Sequence, residues 1–217
     1  SYRDWKEWQE RSNYPGRLLE RIIQFVKPGD RVLDIGAGAG AYAIPLARVC
    51  RAVTAIEPSP GQAAGLEENI RRERLANLAV IPERWENILV EEIGRHELVL
   101  AAYSLEMKDI KDALAKMVKA AGSYLFLIHT AGHDLLAPMR ENLGIVPGPD
   151  YIYLYNVLYQ MGYRANIEIF TRNYTVPVAL QMQMFALNPG LSKEQQQILY
   201  KYMQDNRKLV YQDGQVL

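Results

Sequence analysis

The chain has 217 residues, 25 Lys+Arg against 25 Asp+Glu, and an apolar fraction of 49%. The length suits one domain with a full core, and the charge balance argues against a nucleic-acid surface built on bulk charge. A single cysteine, Cys50, excludes a disulfide framework and a Cys-based metal site and reads as a small core residue.

In chain order, Tyr2, Trp5 and Trp8 recur at helical spacing among charged residues, so residues 2–13 read as an amphipathic helix. Its N-terminal run is too polar for a signal peptide, and no apolar run approaches the ~20 residues needed to cross a bilayer. The expected setting is therefore cytoplasmic and reducing, with no membrane partner. Asn13-Tyr-Pro-Gly16 breaks the first helix, and the stripe Leu18, Leu19, Ile22, Ile23, Val26 predicts a second over 17–26. Lys27-Pro-Gly-Asp30 turns into an apolar strand with Val32, Leu33 and Ile35. That strand ends in glycines at every second position, Gly36, Gly38 and Gly40, before a helix over 43–49.

Ala52-Val-Thr-Ala-Ile56 is a second strand closed by Glu57 and Pro58; a charged helix over 62–74 follows, its charge run read as a solvated face. Strands are expected at 77–81, 97–102 and 124–128, with a helix over 109–120 between the last two. This alternation implies a doubly wound parallel sheet. Past His129 the rhythm changes. Helices are expected at 135–143, 151–161, 178–186 and 192–206, and a strand at 165–170. Residues 209–217 read as a strand, an Asp-Gly turn and the start of another, short strand.

Ligands of such sheets sit beyond the carboxyl ends of the strands. That rule gathers the Gly loop, Glu57, Glu83–Trp85, Tyr103–Glu106 and His129–His133. The loop spacing is G-x-G-x-G, not the G-x-G-x-x-G of dinucleotide sites.

Val32-Leu-Asp-Ile-Gly-Ala-Gly-Ala-Gly40 resembles motif I of the class I (Rossmann-like) S-adenosylmethionine-dependent methyltransferases, and Ala55-Ile-Glu-Pro-Ser59 resembles their acidic second motif. The similarity covers about residues 15–130 and points to the small-molecule "type 11" group. It implies an α/β fold: a mostly parallel, seven-stranded sheet with helices on both faces and a short or truncated last strand. It implies one domain over 1–217, with a cofactor core at 15–130 and segments 1–14 and 134–162 as candidate cover for the acceptor.

The resemblance also assigns roles. Asp34 lies near the amino group of S-adenosylmethionine, and Gly36, Ala37, Gly38 and Gly40 along its amino-acid end. Glu57 accepts from the ribose hydroxyls, and Pro58 flanks the adenine. Arg84 and Trp85 are adenine neighbours, with Glu83 as the alternative for the exocyclic amine and plain packing as the alternative for Trp85. Ala102 and Tyr103 line the methyl-donor side. His129 and Tyr103 are the weak catalytic candidates, a backbone-bonded strand-end histidine being the competing reading of the former. His96 falls at the opposite edge. No metal set is expected. The acceptor reads as a small molecule: the charge balance disfavours a nucleic acid, and the absence of an Asn/Asp-Pro-Pro-Tyr signature after the fourth strand weakens a DNA-base substrate. The oligomeric state is open. The rival readings are an NAD-dependent oxidoreductase and a non-catalytic cofactor-binding protein.

Overall fold

Five short, apolar segments pair in parallel in the computed structural model, which describes residues 2–133, 143, 150–186, 192–205 and 211–216. They are β1 (Arg31–Ile35), β2 (Ala52–Ile56), β3 (Leu78–Ile81), β4 (His96–Ala102) and β5 (Ala121–His133), in the spatial order β3-β2-β1-β4-β5. Val32, Leu33, Leu98, Val99, Leu100 and Ala101 are wholly buried, as befits central strands covered on both faces. The sheet is flanked by α3 (Ala43–Ala47), packed on β2 and β3, by α4 (Pro60–Glu73) on β3, and by α6 (Ile110–Ala120) on β4. α1 (Tyr2–Ser12) and α2 (Arg17–Ile23) precede β1, and a 3-10 turn (Trp85–Asn87) and α5 (Val90–Ile93) precede β4.

Register decides which loops meet. Ile35 lies opposite Ile56 on one side and Ala101 on the other. The ends of β1 and β2 are therefore level and β4 runs one residue further, so Gly36, Glu57 and Ala102 stand side by side with Tyr103 next beyond. β1 is also where the strand order reverses, the position at which open parallel sheets place their ligands.

The chain divides into two compact units. One comprises Pro15–His129 with Gln160–Tyr163 and carries this sheet. The other comprises Ser1–Tyr14, Thr130–Tyr159 and Arg164–Val216. It holds α1, α7 (Tyr151–Gln160), β6 (Ile169–Tyr174), α8 (Val178–Ala186), α9 (Lys193–Asp205) and β7 (Tyr211–Val216). Within it α1 packs on α8 and β6. Trp8 Nε1 donates to Gln181 Oε1 at 3.2 Å, which satisfies a buried amide, and the Trp8 ring meets Tyr174 edge-on at 5.5 Å. Tyr155 and Tyr159 stack at 6.4 Å, as their spacing of four on a helix predicts.

Three expectations are corrected. β5 is longer than 124–128, so His129 and His133 lie within the strand rather than just past it. β6 begins at Ile169, four residues after the apolar alternation at Ala165, because its extent is set by pairing with β7. The Asp-Gly pair is not a hairpin turn: Asp213 and Gly214 sit in a continuous strand opposite Arg172 and Thr171. An Asp-Gly dipeptide turns only when its two flanks pair with each other, and here both flanks pair with β6. The helix expected at 135–143 lies outside the described residues, apart from Leu143.

Candidate functional site

The Gly loop is built by three different demands. Gly36 N–H and Ala37 N–H both donate to Ile56 C=O, at 2.8 and 3.1 Å, which folds the chain back over the end of β2. Gly36 has φ +74°, and a Cβ there would overlap the side chain of Ser104. Ser104 Oγ in turn donates to Ile35 C=O at 2.6 Å and ties the loop after β4 to β1. A side chain at Gly40 would strike Leu66 and Ile44 at 2.5 and 2.7 Å, so that glycine is required by helix packing. Gly38 differs. With φ +56° it also needs a conformation that L-residues seldom adopt, yet its missing Cβ would meet nothing within 4 Å. Gly38 is the loop glycine with open space before it.

Two carboxylates stand beneath this loop. Asp34 is only 1% exposed, and its Oδ2 has no hydrogen-bond partner. Burial pushes its carboxyl up from 3.8 to about 7; the Ala43 amide, which donates to it, acts in the opposite direction, and the charge of Glu57 adds to the rise. Glu57 is 6% exposed. Its Oε2 accepts from Gly38 N–H at 2.7 Å and its Oε1 from Ser59 N–H at 2.8 Å. The acid that closes β2 therefore fixes the middle of the loop. Each of its oxygens retains acceptor capacity for a further donor. Pro58 follows, exposed, before α4 begins at Pro60.

At the third strand end the expected residues part company. Trp85 is 2% exposed, its Nε1 donates to Ala113 C=O at 3.1 Å, and Lys116 Nζ lies 5.0 Å from its ring centroid. The ring is buried and packed against α6. Arg84 is exposed. Glu83 Oε1 accepts from Arg84 N–H at 2.7 Å and from Asn87 Nδ2 at 2.8 Å, bonds that hold its carboxyl below the usual range.

At the fourth, Ala102 is half-buried and Tyr103 is 39% exposed. Tyr103 N–H donates to Ile128 C=O at 3.0 Å. His129 is half-buried in β5. His96 is buried at the other end of β4, where its Nε2 lies 3.0 Å from Thr54 Oγ1 and its Nδ1 3.2 Å from Gly94 O. Burial, and then the charge of Arg31, lower its pKa.

Two residues escaped the sequence reading. Ser104 looked like an ordinary loop serine; nothing in the sequence announced its contact with Gly36. Asn69 donates to Ala39 C=O at 2.8 Å in a buried bond that steadies the loop from α4. Its signal was a lone amide on the helix face shared by Ala63 and Leu66, hidden by the charge run around it. Among the described residues no group of His, Cys, Asp and Glu is placed to hold a metal, and no helix is long and apolar enough to cross a membrane.

Residues 12–140 match the family described as the TRM5/TYW2 methyltransferase domain. An uncharacterized protein of Haemophilus influenzae is 32% identical over 163 residues, covering 72% of this chain and 59% of that relative. The 23S rRNA (uracil(1939)-C(5))-methyltransferase RlmD of Xanthomonas euvesicatoria is 47% identical over 51 residues, 24% of this chain and 12% of its own. The chain thus spans less than two thirds of the length of either relative. A Bacillus halodurans structure provisionally assigned as a methyltransferase superposes with a TM-score of 0.68 at 12% identity, covering 93% of this chain and 96% of that one, which shows a shared fold.

Proposed function

The chain belongs to the TRM5/TYW2 methyltransferase domain family, and on that premise we propose that it binds S-adenosylmethionine and transfers its methyl group in line to a small-molecule acceptor. The observation that carries the cofactor reading is Asp34 Oδ2, a buried carboxylate oxygen without a partner under a glycine loop. A buried polar atom left unmet costs free energy that a cationic ligand amino group, reached through one water, recovers. The open space before Gly38 admits the backbone-lined amino-acid end. Glu57 has acceptor capacity left for two ribose hydroxyls. In this reading Gly36, Ala37, Gly38 and Gly40 lie along the amino-acid end, Pro58 beside the adenine, Arg84 and Glu83 at its edge, and Ala102 on the methyl side.

When bound, the sulfonium supplies an already activated methyl group. The chain then has to orient the two partners and exclude water, and proximity alone supplies much of the acceleration. A general base is needed only when the acceptor must lose a proton, and His129 is the candidate.

Calorimetric titration with S-adenosylmethionine, S-adenosylhomocysteine and NAD tests the cofactor reading. The first two bind and NAD does not. Glu57→Ala weakens binding by about 1.5–3 kcal/mol, the scale of a charge-assisted hydrogen bond. Binding of NAD in their place, or unchanged affinity in the variant, removes the assignment.

The small-molecule acceptor rests on the balanced charge, 25 cationic against 25 acidic residues. A second reading, an RNA acceptor, is favoured by the family and by the match to RlmD. Labelled methyl donor incubated with tRNA and rRNA transcripts beside a panel of phenols and amines separates them. Acid-precipitable label marks RNA, and extractable label marks a small molecule.

A further inference from the structure

Among the described residues, three other than glycine have positive φ: Asn13, Arg74 and Tyr103. Two have a local reason. Asn13 follows the end of α1, and Arg74 is the left-handed cap of α4, positions where helices commonly end this way. Tyr103 ends a strand, with φ +53°. A bulky side chain there is an outlier that persists only where its surroundings over-determine it, and such residues gather at functional sites.

The surroundings do over-determine it. Tyr103 N–H is bonded to Ile128 C=O, the next residue is bonded through Ser104 Oγ to Ile35 C=O, and Gly36 lacks the side chain that would displace Ser104. Glycine or asparagine would meet the backbone demand at less strain, so the aromatic ring is the feature that needs explaining. Three aromatic residues stand on the segments that follow β1 to β4. Tyr42 is 3% and Trp85 2% exposed, whereas Tyr103 is 39% exposed. Tyr103 also leaves β4 one residue past the level of Gly36, next to Ser104, whose side chain fills the space before Gly36, in the loop cluster that holds Asp34 and Glu57.

Resting on the cofactor reading above, we infer that Tyr103 presents its ring to the sulfonium and so distinguishes the cationic methyl donor from its neutral product. A cation over an aromatic face is attracted by the ring quadrupole, whereas a neutral thioether gains only the weaker sulfur–ring contact. The backbone strain holds the ring at the point where that charge is consumed.

The test is calorimetry of the full chain with S-adenosylmethionine and S-adenosylhomocysteine, alongside thermal unfolding. Tyr103→Asn tolerates positive φ and removes the ring. It should weaken binding of S-adenosylmethionine about 3- to 30-fold, weaken S-adenosylhomocysteine by a clearly smaller factor, and leave Tm at or above the parent value. Tyr103→Phe should keep both affinities. Equal losses for the two ligands, or no loss for either, overturn the inference while leaving the cofactor reading in place. A parent chain that binds neither ligand overturns the cofactor reading and the inference with it.

Discussion

Asp34→Asn takes an ionisable group out of the centre of β1 with almost no change of shape. Burial of Asp34 raises its carboxyl from 3.8 to about 7 against the Ala43 amide, and the Glu57 charge adds to the rise. That displacement makes the ionised form about 4 kcal/mol less favourable in the folded chain than in the unfolded one. The sign follows from proton counts. Between about pH 4 and 7 the folded protein keeps a proton that the unfolded chain has released, so the contribution is fully present below pH 4 and lost as pH rises through 7. The asparagine variant carries no such dependence. Its stability relative to the parent should be near zero at pH 3, about 1 kcal/mol in its favour at pH 4.5, and about 4 kcal/mol in its favour by pH 8. Urea unfolding of both proteins across that range measures the difference, and every titrating group not coupled to Asp34 cancels in it, leaving only a share from Glu57. A pH-independent difference, or a variant less stable than the parent at pH 8, would refute the argument.

Gly36→Ala brings a methyl group into Ser104 and should cost about 1–3 kcal/mol in urea unfolding. Adding Ser104→Gly should recover the packing share of that loss, which a double-mutant cycle measures. Trp85→Phe breaks the bond to Ala113 C=O and should cost about 1 kcal/mol, leaving the affinity for S-adenosylmethionine within about twofold, since the ring is packed against α6. His96 is held neutral by burial and Arg31, so its contribution is present above pH 6.5 and lost as pH falls through its lowered pKa. His96→Gln should flatten the stability profile over that range.

Much of the sheet was legible because its strands are apolar runs ended by glycine or an acid, and both signals are local. β1, β2 and β4 came within one residue of their observed bounds for that reason. The misses share one cause. The length of β5, the start of β6 and the continuity of β7 through Asp213-Gly214 are decided by the partner strand, and pairing leaves no periodicity in either strand alone. The site divides the same way. Asp34, the glycines and Glu57 form a pattern visible in one stretch of chain. Ser104 and Asn69 act on that stretch from elsewhere, through single bonds to Ile35 and Ala39 that no spacing rule encodes. Trp85 shows the converse: its composition suggested a ligand surface, and the helix that covers it lies 28 residues further on.

Glu57 now needs a sharper test than loss of binding, because two functions meet in it. Its oxygens hold Gly38 N–H and Ser59 N–H, so removing the carboxylate loosens the loop even if no ribose is ever bound there. Asp34, by contrast, is assigned to the amino-acid end. Methylthioadenosine separates the two, because it keeps the adenine and ribose and lacks the amino-acid portion. If both assignments hold, Glu57→Ala weakens both ligands, methylthioadenosine on the order of 10-fold or more for a lost charge-assisted bond and S-adenosylmethionine by at least as much, since it also uses the loop. Asp34→Asn then weakens S-adenosylmethionine and leaves methylthioadenosine unchanged. If Glu57 serves only the loop, its loss falls on the ligand that uses the loop: S-adenosylmethionine weakens and methylthioadenosine does not. That outcome in calorimetry would take the ribose away from Glu57 while leaving the glycine loop as the clamp on the amino-acid end.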